Sequence, residues 1–500
     1  MHKRFVARCC ALLMAASAWP AAASLHARPS PVRHVVLVSI DGLHALDLRY
    51  FIRFHPDSHL AALAAHGIEY TDAHTVVPAD SFPGLLALVT GGTPAVTGVY
   101  YDNSWDRSLA PAQGPCVADG AHVLYNEHID KPDGSGIDPA RLPRDPAHGC
   151  RRVYPWQYLK VNTVFNVVHQ AGGYTAWADK HPAYAIVQGP SGHGVDDLYT
   201  PEIGKDGEDQ MDTDVITASI AATETYDTGK MRAVINELQG HRHGGHARAP
   251  VPTLLGLNLQ SINVAQKLAG YQNAEGMPSP SLDAALGHVD SLIGELQATL
   301  VKQHLAASTL LIITAKHGNG PIDPAQITHV DKARLKAVVA DAARDEPAQL
   351  TTDQVALLWL HDARNTGTVA RTLLADRAQL GIQNVLWGRR LALLFPSAEH
   401  DNRAPDIVVI PHPGVIYDDA SASKRAEHGG FSDDDTHVAL LLSGPMLPHP
   451  GWRLRTPVST TSVAPTLLEA LGLNPDALQA VRQQFTPLLP GVAWTHLARH

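Results

Sequence analysis

Five short apolar runs, each ending in polar or turn-forming residues, set the strongest limit on how this chain folds. They are His34–Gly42 (HVVLVSIDG), Pro252–Ser261 (PTLLGLNLQS), Thr309–Gly318 (TLLIITAKHG), Asp406–Pro413 (DIVVIPHP) and His437–Pro445 (HVALLLSGP). Val, Ile and Leu follow one another in them without polar alternation, the pattern of a strand covered on both faces. Helical patterns lie between, such as Ser281–Gln303, and TTSVAPTLLEALG, where Thr460 or Thr461 can cap and Gly472 can terminate. Strand and helix alternating on this scale predict an α/β fold with a mainly parallel central sheet and helices on both faces. Ligand chemistry then gathers beyond the C-terminal ends of the strands. There is no internal repeat, heptad, Walker-type loop or G-x-G-x-x-G after a strand, and the Gly-rich GPSGHGVDD reads as a surface loop.

The first residues set the compartment. Lys3, Arg4 and Arg8 precede a short apolar run and the small residues Ala21-Ala22-Ala23, the layout of a secretory signal over residues 1–23, with a second possible cut after Ala27. The run is too short to span a membrane. Its removal leaves 36 basic against 49 acidic residues, a balance of −13 that argues against binding a nucleic-acid duplex or an anionic lipid surface. Cys9 and Cys10 leave with the signal. Cys116 and Cys150 remain, and in a secreted or periplasmic chain such a pair reads as a disulfide, two buried thiols being the alternative. No long polar linker interrupts the rest, so residues 31–490 read as one domain with a Pro- and Gly-dense insertion around 102–155.

Several residues at the run ends carry chemistry. Asp41-Gly42 leaves the first strand, a signal that alone marks a turn. Ser81 in VVPADSFPGLLALVTGGTPAVTGVYYDN opens a helix, where partial positive charge would stabilise an alkoxide or a phosphoseryl group; capping the helix is its plainer role. Lys316-His317-Gly318 ends the third run, and His428 stands in AEHGGFSDDDTHVALLLSGP.

In this order, the Asp41 strand end, the Ser81 segment, the KHG element and the EHGG segment resemble the alkaline phosphatase superfamily, most closely its type I phosphodiesterase/nucleotide pyrophosphatase branch, over roughly residues 33 to 475. The resemblance implies a three-layer sandwich and a hydrolase of small-molecule phosphate esters in which divalent ions, usually two zincs, flank a Ser or Thr nucleophile. Carried onto this chain, Ser81 is the nucleophile, and Asp41, Ser81, His317 and His428 are metal ligands.

Three departures accompany the matches, and a fourth position excludes a sister branch. Lys316 stands where the family has Asp, and a protonated lysine repels a metal ion. GLNLQSINVAQK replaces a strand that supplies an Asp and a His four residues apart, leaving Asn258 among neutral groups. One ion is therefore favoured over two. Gly84 stands where the family has a phosphate-binding Asn, for which Asn103 is the stand-in. Leu85 stands where a sulfatase has Arg, which excludes that branch. Lys316 either replaces an ion's charge against a substrate oxygen or pairs with a carboxylate such as Asp41 in a site that has lost its metals. Asp179-Lys180-His181, the His193 to Glu202 segment, and Asp433–Asp435 with His437 are further polar clusters; Asp434 and His437 are the leading candidates for extra coordination or for pairing with Lys316. The expected activity is metal-dependent hydrolysis of a phosphate ester, a diester before a monoester or phosphonate, with an anion-binding protein of little turnover as the alternative.

Overall fold

Alternate residues of the first strand, β1 (His34–Ile40), enter two different apolar clusters. Val35 and Leu37 pack with Phe82, Leu85, Leu86 and Leu467 on one side. Val36, Val38 and Ile40 pack with Met231, Leu286 and Ile293 on the other. A strand buried on both faces has no use for polar alternation, which is why the run is continuously apolar.

The computed structural model describes residues 32–131, 135–202, 216–444 and 447–492. The expected signal segment lies outside them.

The strands that build the two larger sheets and the edge beside the site include β2 (Ile68–Tyr70), β3 (Ala73–His74), β4 (Thr175–Ala178), β5 (Asp197–Tyr199), β6 (Leu254–Leu259), β7 (Thr309–Thr314), β8 (Pro347–Thr352), β9 (Ala356–Leu360), β10 (Ile382–Trp387), β11 (Ile407–Pro411), β12 (His437–Val438), β13 (Leu440–Ser443), β14 (Trp452–Leu454) and β15 (Val458–Ser459), and short two-stranded pairs lie elsewhere. An eight-stranded central sheet runs β14-β2-β13-β7-β1-β6-β4-β5. The five strands β7, β1, β6, β4 and β5 are mutually parallel, while β13 lies antiparallel between β7 and β2. Helices α1 (Ser81–Thr90) and α4 (Val463–Ala470) cover one face, and α2 (Ile220–Leu238) and α3 (Pro280–Lys302) the other. This is the α/β architecture that the sequence predicts.

Two of the five runs take other places than a parallel strand of this sheet. The run ending in Ser443 enters the central sheet antiparallel to β7. Asp406–Pro413 supplies β11 to a separate four-stranded antiparallel sheet, β8-β9-β11-β10, with its own apolar cluster around Leu335, Leu358, Leu373 and Val409. That sheet buries Trp359 and Val408 on its other side against Tyr100, Tyr101 and Trp105, so β11 is also covered on both faces. An unbroken apolar run reports double coverage, not the direction or the sheet of its neighbours.

Cys116 and Cys150 form the expected disulfide, 34 residues apart in sequence, within the insertion.

Parallel pairing aligns the C-terminal ends of β1, β6, β7 and β4 at one edge. Ser39 of β1 stands opposite Asn258 of β6 and Thr314 of β7, and Ala178 of β4 opposite Leu257. Asp41, Gln260, Lys316 and Asp179 follow one or two residues later, at the lip of the sheet. Leu257 is fully buried at the centre of this arrangement. Leu257→Ala is expected to destabilise the fold by about 3 kcal/mol, read as a lowered urea midpoint with the far-UV circular dichroism spectrum retained.

Candidate active site

Asp80, and not Ser81, caps α1: its side chain accepts a hydrogen bond from Phe82 N at 3.1 Å. The Ser81 hydroxyl is thereby free to face the lip of the sheet. It lies 3.1 Å from His317 Nε2, and Lys180 Nζ donates to it at 3.3 Å. His317 Nδ1 is 2.9 Å from the carbonyl of Gly318. A carbonyl only accepts, so Nδ1 carries the proton and Nε2 turns its lone pair to Ser81. Burial, followed by the charges of His428 and Lys180, holds the His317 pKa well below the usual histidine range.

Asp41, at the end of β1, is fully buried. Its Oδ2 is 2.6 Å from Lys180 Nζ and accepts from Asn258 Nδ2 at 3.1 Å, while its Oδ1 is 3.8 Å from Lys316 Nζ. Gly42 turns the chain away with a φ of 81°, and a Cβ there would sit 2.1 Å from Gln266 Oε1. Lys316 is fully buried, 3.4 Å from Asp179 Oδ1 and 4.3 Å from the centre of the Tyr184 ring, whose face attracts a cation.

The two lysines differ in how firmly they hold their protons. Burial opposes the charge of Lys180, but Asp41 in contact, Tyr184 and Asp179 together keep the ammonium well above its ordinary range. Burial depresses Lys316, against the partial support of Asp179 and Asp41 at longer range. Burial would raise the Asp41 carboxyl, yet Lys180, Lys316 and His317 hold it far below the usual carboxylate range.

His428 stacks on His317 with ring centroids 3.9 Å apart and planes 8° from parallel. It lies 3.7 Å from Asp80 and 2.9 Å from Glu427. Burial and Lys267 oppose its charge, but the two carboxylates prevail and push it up to about 9. Asp80 thus links the start of α1 to the imidazolium that keeps His317 neutral. Lys180 and His428 are the parts of the cluster that reach solvent, each with 13% of its side chain exposed.

The sequence-predicted residues divide here. Asp41, Ser81, Lys316, His317, His428 and Asn258 come together. Asn103 lies in a hairpin, where its side chain accepts from Asn126 at 3.1 Å and its carbonyl from Thr351 at 2.9 Å, and neither contact involves Ser81. Asp434 accepts from Ile322 N at 2.9 Å, and His437 stacks across from His74. Lys316 pairs with Asp179 and Asp41 rather than with the Asp433–Asp435 run. Lys180 and Asp179 are the principal residues whose roles the sequence left unassigned. Their signal is the one carried by Asp41, polar residues directly after an apolar strand.

The chain matches the sequence model of the type I phosphodiesterase/nucleotide pyrophosphatase family over residues 35–433. It belongs to that family. As a member it is a phosphodiesterase-like phosphoric ester hydrolase. No curated protein matches the sequence. Among solved structures, murine ectonucleotide pyrophosphatase/phosphodiesterase 5 superposes with a TM-score of 0.57 at 16% identity, covering 88% of this chain and 96% of the other. An inactive variant of the murine protein in complex with AMP gives 0.57 at 16% identity, over 89% and 96%. The human protein gives 0.54 at 16% identity, over 88% and 95%. At this identity the superpositions establish a shared fold.

The family resemblance implies divalent ions beside Ser81, and the residues there do not suit them. An ion held between Asp41 and Ser81 would need the place taken by Lys180 Nζ, which touches both. A second ion would meet Lys316 and the amide of Asn258. Among the described residues, the compact donor set for a metal ion is Asp72, His74 and His437, on other strands.

Gly84 explains one departure of this phosphodiesterase-family chain in steric terms. A Cβ at that position would lie 2.1 Å from the Lys316 carbonyl oxygen, so α1 reaches the end of β7 only with glycine there. Gly84→Ala is expected to cost about 1–3 kcal/mol and to lower turnover of an aryl phosphodiester, checked by thermal melting beside steady-state kinetics.

Proposed function

We propose that this protein hydrolyses a small-molecule phosphodiester through Ser81, with the ammonium groups of Lys180 and Lys316 providing the positive charge that metal ions provide elsewhere in the superfamily. The observation that carries this reading is the position of Lys180 Nζ, 2.6 Å from Asp41 and 3.3 Å from Ser81 Oγ. Electrostatic stabilisation of a transferring phosphoryl group requires fixed positive charge at its oxygens, and an ammonium supplies that as a metal ion does.

In the first step Ser81 Oγ attacks phosphorus, its proton passes to His317 Nε2, and the bond to the leaving alcohol breaks. The alkoxide takes the proton from His317 and departs, leaving a phosphoseryl ester that still carries the other alcohol. Water then attacks phosphorus with His317 as base, the Ser81–phosphorus bond breaks, and serine recovers its proton. Lys180, which reaches solvent, faces the non-bridging oxygens, Lys316 adds its charge from behind, and Asp41 and Asp179 hold the two ammonium groups in place. His428 is a positioning residue, since its charge beside His317 adds to burial in keeping that imidazole neutral. The murine neighbour bound to AMP supports a nucleotide phosphate among the candidate substrates. The signal-like first 23 residues and the disulfide support export to a periplasmic or extracellular space as one hydrolase domain.

A second reading is favoured by the same close ion pair: a site whose cations are already held by carboxylates binds an anionic ligand without turning it over. Turnover of bis(p-nitrophenyl) phosphate separates the two. Ser81→Ala is expected to abolish it. Lys316→Met, with folding verified by circular dichroism, is expected to reduce kcat by about 10²-fold, and prior treatment with EDTA is expected to leave the rate unchanged. Loss of the rate in EDTA and its return with zinc would overturn the lysine mechanism, and inorganic phosphate binding without hydrolysis of any diester would establish the second reading.

A further inference from the structure

Among the described residues outside the Ser81 cluster, one group of side chains has the composition of a metal site. In the antiparallel pair β3–β12, His74 stands directly opposite His437, and Asp72 lies in the bend that leads into β3. The two imidazoles stack with centroids 4.9 Å apart and planes at 16°, and His74 Nε2 is 2.9 Å from Asp72 Oδ1. One donor atom from each of the three lies within 4.8 Å of the others. His437 Nε2 donates to the backbone carbonyl of Thr71 at 3.0 Å, the kind of contact that orients a metal-ligating imidazole through its other nitrogen.

We infer that Asp72, His74 and His437 bind a borderline-soft divalent transition-metal ion such as zinc, at a site separate from the nucleophile. Two imidazoles and one carboxylate form the donor set that such ions prefer over magnesium or calcium. The strands are already joined, with β15 pairing β3 on its other side, so the ligands are presented by hydrogen-bonded backbone rather than by a loose loop. Tetrahedral ligand atoms around zinc lie roughly 3.3 Å apart, so binding draws the three side chains slightly inward. Side-chain exposures of 38% for Asp72, 37% for His74 and 23% for His437 give an ion access and leave room for water to complete its coordination.

The site also adjoins the catalytic lip. Thr75, next to His74, donates its hydroxyl to the Lys316 carbonyl at 2.7 Å and its amide to the Thr436 carbonyl at 2.9 Å. This inference does not depend on the lysine mechanism.

The test is zinc binding to the full chain after metal removal, measured by titration calorimetry and by the shift of the thermal midpoint. Wild type, Ser81→Ala and His428→Ala are expected to take up one zinc with similar affinity and to melt higher with it. Asp72→Asn and the double variant His74→Ala/His437→Ala are expected to bind at least about tenfold more weakly and to lose the zinc-dependent rise, while melting near the wild-type temperature without zinc. Absence of zinc binding in the wild type would overturn the inference. So would wild-type affinity in the double variant, or a loss of zinc that follows His428→Ala instead. Because the readout is binding and stability, it stands apart from the EDTA test of turnover.

Discussion

The contact between Lys180 and Asp41 organises the whole catalytic lip. Asp41 is completely buried, and a carboxylate without a counter-charge there would be protonated or would destabilise the fold by several kcal/mol. Lys180 arrives from β4, two strands away across the sheet, and Lys316 from β7 on the other flank. Parallel pairing makes this meeting possible, because it brings the C-terminal ends of β1, β4, β6 and β7 to one edge. The chemistry proposed for Ser81 thus rests on sheet register as much as on the side chains themselves.

The helix opposite makes a second connection of the same kind. Asp80 caps α1 through the Phe82 amide and lies close to His428, so the residue that begins the helix also influences the charge state of the imidazole stacked on His317. Gly84, one turn on, allows that helix to approach the Lys316 backbone. Helix start, imidazole pair and lysine peptide therefore share one set of close contacts. Displacing any one of them would be felt at the Ser81 hydroxyl.

Much of this was legible in the chain, and the limits have physical causes. Continuous apolar runs revealed β1, β6 and β7 because double coverage leaves a local mark. The run ending at Pro413 looks the same, yet β11 belongs to the antiparallel sheet, since the identity of the covering element leaves no mark in the strand. Lys316 announced itself as a departure from a metal ligand, but its partner Asp179 is 137 residues away and no local pattern connects them. Asp80 and Ser81 are both good capping residues, and a one-residue ambiguity decided whether the hydroxyl was spent on the helix or left for chemistry. Asn103 was assigned by analogy with an absent amide, whereas hairpin geometry turns it to Asn126.

Asp41, Asp179, Lys180 and Lys316 are two acids and two bases, so the resting cluster is close to self-neutral. A phosphodiester that enters carries one negative charge and must share the lysines with carboxylates already in contact with them. Ground-state attraction is blunted by that internal competition. As the pentavalent geometry develops and charge accumulates on the equatorial oxygens, the balance tips towards the ligand and away from Asp41 and Asp179. In the mechanism proposed for Ser81, such a cluster favours the transition state over the bound substrate, the condition under which binding energy accelerates a reaction instead of merely saturating the protein.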